Sequence, residues 1–75
     1  MSKKLQLKVT NFNNNDKKKI ENLLNTEFKN EIKNFYHQKD KRNKLTIYFS
    51  IKNDIILLLK VQEFFNKTNW KLEDN

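Results

Sequence analysis

Residues 31–51 read EIKNFYHQ, then KDKRN, then KLTIYFSI, and the reading of this stretch decides the fold. KLTIYFSI (44–51) is the clearest strand of the chain. It is rich in β-branched and aromatic residues, and Leu45, Ile47, Phe49 and Ile51 recur on one face. KDKRN (39–43) is polar and of hairpin length. Residues 31–38 allow two readings. As a strand they are the hairpin partner of 44–51. As a helix, Ile32, Phe35 and Tyr36 continue the apolar stripe of the segment before them. Periodicity does not separate the two, and the pairing argument favours the strand.

Upstream, Ile20, Leu23, Leu24 and Phe28 fall at helical spacing from Asp16 onward. The strand reading of 31–38 requires this helix to turn near 26–30. Before it, Asn13, Asn14, Asn15 and Asp16 form a cluster of turn and cap residues in a chain with no Gly and no Pro. Before that, Leu5, Leu7 and Val9 alternate with Lys4, Gln6, Lys8 and Thr10, which is a strand with one buried face. Downstream, Asn53 is the expected N-cap and Asp54 sits in the first turn. Ile55, Leu58, Val61, Phe64 and Phe65 are the expected apolar stripe of a helix running to about residue 67. Asn66 or Asn69 would end it in a left-handed conformation. Trp70 and Leu72 then alternate with Lys71 and Glu73 as a short last strand.

The order is therefore β-α-β-β-α-β. The expected architecture is a single α+β domain over residues 1–75 of ferredoxin-like plan: a four-stranded antiparallel sheet with two helices on one face. The runner-up, one helix from 16 to 38, leaves a two-stranded sheet, which is marginal in water.

Seventy-five residues suffice for one small core. Cys is absent, which excludes disulfides, thiolate metal sites and thiol catalysis. Gly is absent, which excludes glycine-rich phosphate loops. His37 is the only His and has no ligand partner at metal-site spacing, so no metal and no cofactor is expected. Ser2 and Ser50 have no His/Asp frame near them in sequence. Glu27/Glu31 and Glu73/Asp74 read as solvated charge rather than acid/base pairs. The chain is expected not to be an enzyme. Its start alternates apolar and polar residues, unlike a signal peptide. The longest apolar run, 55–59, is too short to cross a bilayer. A cytoplasmic location without membrane contact is the expectation.

The layout resembles that of a heavy-metal-associated domain, the fold of small copper chaperones. LQLKVTNF (5–12) sits at its first strand, IENLL (20–24) is similar to its first-helix core, and KLTIYFSI matches its third strand. Val61, Phe65 and Asn69-Trp70-Lys71-Leu72 resemble its second helix and its ending. The family's Met-x-Cys-x-x-Cys motif is missing. Aligned from the strand, its Met falls on Phe12 and its cysteines on Asn14 and Lys17; aligned from the helix, the cysteines fall on Asn13 and Asp16. Soft Cu(I) needs sulfur ligands, so copper carriage does not carry over. What the resemblance implies is a scaffold that docks a protein partner. Acylphosphatases share this topology, but their phosphate loop needs an Arg that this chain lacks there.

Sixteen Lys and Arg against nine Asp and Glu give a net charge of +7. Fifteen are Lys and only Arg42 is Arg, which suits attraction to a phosphate backbone better than base reading. Thirteen Asn accompany the lysines, so an AT-rich coding sequence accounts for the charge equally well. Two features are candidates for binding. Lys17, Lys18 and Lys19 crowd a helix start that is already positive, beside Asn14 and Asn15, and an anion there would offset the repulsion. On the open sheet face, Lys8, Thr46 and Tyr48 are expected outward, joined by Lys33, Phe35 and His37 if Ile32 and Tyr36 point inward. Such a face resembles a stacking platform for single-stranded nucleic acid. The expectation is a small docking module, with weakly specific binding of nucleic acid or phosphate as the alternative, as a monomer or weak dimer.

Overall fold

Alternating and helical apolar patterns become the elements they predict. A computed structural model describes residues 3–75; Met1 and Ser2, the latter weighed above as a nucleophile, lie outside the described residues. The elements are β1 (Lys4–Thr10), α1 (Lys17–Phe28), β2 (Ile32–Lys39), β3 (Leu45–Lys52), α2 (Ile55–Asn66) and β4 (Lys71–Asp74). Residues 31–38 are thus essentially the second strand, and the single long helix is overturned. The break falls at Lys29, whose φ of 21° and ψ of −106° cannot continue a helix. A short 3-10 turn at Lys29–Glu31 then leads into β2.

The sheet is antiparallel in the order β2-β3-β1-β4. The register Leu7↔Phe49 and Val9↔Ile47 puts the apolar residues of the two central strands on one face. There they form one cluster with Ile20, Leu24 and Phe28 of α1 and Leu57, Val61 and Phe65 of α2. Both helices therefore cover the same face. Phe28 and Phe64 meet edge to face across the helices, ring centres 5.8 Å apart.

Three local expectations are corrected. The N-cap of α2 is Asp54 rather than Asn53: its Oδ1 accepts the Ile56 N–H at 2.9 Å. The buried stripe of α2 is Leu57, Val61 and Phe65, with Leu58 and Phe64 at its margins, whereas Ile55 is 65% exposed. Leu57, Val61 and Phe65 follow one another at i, i+4 spacing along the packed side of the helix. Neither Asn66 nor Asn69 is left-handed. Lys67 caps α2 in a right-handed conformation, and the Thr68 hydroxyl donates to the Phe65 carbonyl at 2.8 Å. Among the described residues no helix is long and apolar enough to cross a membrane.

Two measurements check this packing. Leu24→Ala empties a fully buried position and is expected to cost about 2–5 kcal/mol in urea unfolding. Asp54→Ala is expected to cost about 1 kcal/mol, with Asn53→Ala near neutral; the reverse ranking would reinstate Asn53 as the cap.

Candidate nucleic-acid interface on the open sheet face

The uncovered face is set by one irregularity. Between Lys33 and Tyr36 the pairing of β2 with β3 shifts, since Lys33 pairs with Ser50 and Tyr36 with Tyr48. Three steps on β2 span two on β3, so β2 carries a bulge. Asn34 adopts φ 54° there. Its side-chain amide donates to the Ser50 hydroxyl, and that hydroxyl donates to the Lys33 carbonyl, each at 3.2 Å. Ser50 is only 3% exposed and its hydroxyl is engaged in holding the bulge, which gives it a structural task.

The bulge exchanges two aromatic residues relative to expectation. Phe35, expected outward, packs against the core cluster. Tyr36, expected inward, is 47% exposed and stacks on Tyr48, with ring centres 4.9 Å apart and planes 13° from parallel. Lys33 remains on the outer face, across from Ser50. His37 is moved off it, to the position paired with Ile47. Sequence reasoning missed Tyr36. A signal existed in Ile32 and Phe35, which strict alternation cannot place on the same side.

Lys8 takes its expected outward place, paired with Tyr48 on one side and Glu73 on the other. Continuing the alternation, the outer face carries Lys4, Lys8, Lys33, Lys52 and Lys71, against the single carboxylate of Glu73. Glu73 accepts the Thr10 hydroxyl at 2.9 Å and lies 3.9 Å from the Lys71 ammonium. Asp74 pairs with Leu7 and faces the other way, so Glu73 and Asp74 are not a pair of converging acids. Five of the chain's sixteen cationic side chains therefore share a face with the two stacked rings, with Lys8 next to Tyr48.

The other candidate cluster is less convergent. Asn14 and Asn15 lie in a 3-10 turn (Asn14–Asp16) that leads into α1. Lys17 is drawn to Glu21 at 3.6 Å, while Lys18 and Lys19 are exposed. The Asp16 N–H, one of the donors at this helix start, is taken by the Asn13 carbonyl at 2.8 Å. Asn14 and Asn15 instead border a cleft of about 920 Å³ with Asn11, Asn43, Asp40 and Trp70, at the end of the sheet where three loops meet. Thr10 and Thr46 also line that cleft, and by the sheet's alternation they share the outer face with the tyrosines.

Among the described residues no three His, Asp or Glu side chains gather as metal ligands. No family model, no curated protein and no solved structure matches the chain.

A double-mutant cycle with Tyr36→Phe/Ala and Tyr48→Phe/Ala tests the aromatic pair. A coupling of about 0.5–1.5 kcal/mol is expected in chemical denaturation, retained with Phe and lost with Ala.

Proposed function

We propose that this chain is a non-enzymatic binding protein of ferredoxin-like plan whose ligand is single-stranded nucleic acid, held on the open sheet face. The order β-α-β-β-α-β, with strands in the order β2-β3-β1-β4, supports the plan. The observation that carries the function is the Tyr36–Tyr48 stack set among Lys4, Lys8, Lys33, Lys52 and Lys71 on an uncovered sheet. Tyr36 lies on an edge strand and is 47% exposed, so its ring is open to a base, while Tyr48 backs it from the neighbouring strand. A base stacked on an aromatic ring contributes about 1–3 kcal/mol with little regard for its identity. Lysines beside it attract the backbone without reading sequence, and Arg42 lies outside this face, in the hairpin loop. The binding is accordingly salt-sensitive and weakly specific.

The docking-module reading uses the exposed sheet or an edge strand. The β2 edge carries a bulge and the charges of Lys33 and Lys39, which discourage strand addition. The resemblance to heavy-metal-associated domains therefore enters as a likeness of scaffold, without the metal chemistry.

Fluorescence anisotropy with a short labelled oligo-uridylate tests the proposal. Tyr36→Ala and Tyr48→Ala are each expected to weaken binding about 5- to 100-fold. The slope of log K against log salt should be about −2 to −3.5 for three to five lysines engaged. Lys18→Gln/Lys19→Gln should change little. Equal binding by heparin and by the tyrosine variants would reduce the effect to bulk charge and overturn the reading.

A further inference from the structure

The cleft at the end of the sheet differs in charge from the rest of the molecule. Asp16 and Asp40 line it against Lys44, on a chain of net charge +7. A phosphate is therefore better placed on the lysine-bearing sheet than inside this cleft. The cleft suits a neutral ligand, or the neutral part of a charged one. Its volume of about 920 Å³ has room for a small molecule.

The cleft has an apolar floor and amide walls. Phe12 and Trp70 pack against the core cluster and also line the cleft. The Asn11 side-chain amide donates to the Asn69 carbonyl at 2.9 Å, which ties the loop after β1 to the loop before β4. Asp40 accepts the N–H groups of Arg42 and Lys44 on Oδ1, each at 2.8 Å, which fixes the hairpin loop between β2 and β3. Asn11 and Asn43 hold left-handed conformations in these loops, with φ of 61° and 63°. The walls are thus braced within the chain, which lowers the cost of ordering them around a ligand. Among the described residues, the amides of Asn14, Asn15 and Asn43 make no side-chain hydrogen bond within the chain. Each presents an acceptor and an NH₂ donor toward the cleft or its rim.

A nucleobase matches this set. It is flat and neutral, its faces suit an aromatic floor, and its edge pairs with amides. Continuity with the tyrosine face selects a base over other flat polar molecules. Thr10 and Thr46 line the cleft and share the outer face. Thr46 is two residues from Tyr48, about 7 Å along β3. The carboxylates then select among bases. Asp16 and Asp40 accept from an exocyclic amine and repel the carbonyl-rich edges of uracil and guanine. Of the two bases with such an amine, adenine has the larger face to lay on Trp70 and Phe12, and Asn pairs with adenine through two hydrogen bonds at once. We propose that this cleft is a nucleobase pocket that takes adenine, with the exocyclic amine toward the carboxylates and amides. The base arrives as a free nucleoside or as one unit of a strand lying on the tyrosines; only the second source rests on the function proposed above.

Amide NMR titration of the chain with adenosine and with uridine, carried to millimolar, tests the pocket. Trp70 is the single Trp, so its indole resonance reports on the cleft directly. Adenosine is expected to shift Asn14, Asn43 and the Trp70 indole, and to bind about 5- to 100-fold more tightly than uridine. Asn14→Ala/Asn15→Ala and Asn43→Gly should each reduce that preference with an unchanged circular dichroism spectrum; Gly keeps the positive φ and removes only the amide. Tyr36→Ala should leave adenosine binding intact. Equal binding of adenosine and uridine would overturn the inference. So would shifts confined to the tyrosines, equal shifts with methyl glucoside, or a preference that survives both amide variants. Oligo-uridylate with one adenine separates the sources. A gain over plain oligo-uridylate that Asn43→Gly abolishes assigns the base to a strand. Selective adenosine binding without such a gain assigns it to a free nucleoside and supports the pocket equally. Selective adenosine binding by a chain that binds no oligonucleotide overturns the sheet reading and leaves the pocket standing.

Discussion

A chain of 75 residues builds one core, and that core covers one face of a four-stranded sheet. Everything else follows from which face that is. The buried residues of α1 and α2 meet Leu7, Val9, Ile47, Phe49 and Ile51 in a single cluster, so the two helices compete for nothing else. The other face must remain wet. It carries the tyrosine stack and a surplus of lysines because those side chains tolerate water and have no place inside.

The bulge at Asn34 is the device that reconciles β2 with this arrangement. An edge strand with Ile32, Phe35 and Tyr36 cannot satisfy both faces under strict alternation. One extra residue turns Ile32 and Phe35 toward the core and frees Tyr36 to meet Tyr48. The chain has no Gly, so Asn takes the positive-φ position, as it also does at Asn11 and Asn43. Ser50 supplies the hydroxyl that satisfies the disturbed ladder from the neighbouring strand. Local strain on β2 and the aromatic platform are thus two aspects of one feature.

Lysines collect on the open sheet. Their positive charge is not confined to that face, since Lys4, Lys33 and Lys52 also line a groove with Ile56, Leu57 and Lys60 of α2, and screened attraction acts over about 10 Å.

Apart from residues 31–38, which the period left open between strand and helix, the strands and helices were legible in the sequence, because burial on one side imposes a period of two or of 3.6 wherever the apolar residues are well spaced. KLTIYFSI and the Leu5, Leu7, Val9 alternation are such cases, and so are the outward positions of Lys8 and Tyr48. The phase of α2 was not, since the run from Ile55 to Leu59 wraps the whole helix and only packing chooses Leu57 over Ile55. The end of α1 and the partner of Tyr48 were decided only in three dimensions. Backbone strain at Lys29 and Asn34 is tolerated for what it lets distant residues bury, and that compensation is a property of the assembled core rather than of any local stretch of chain.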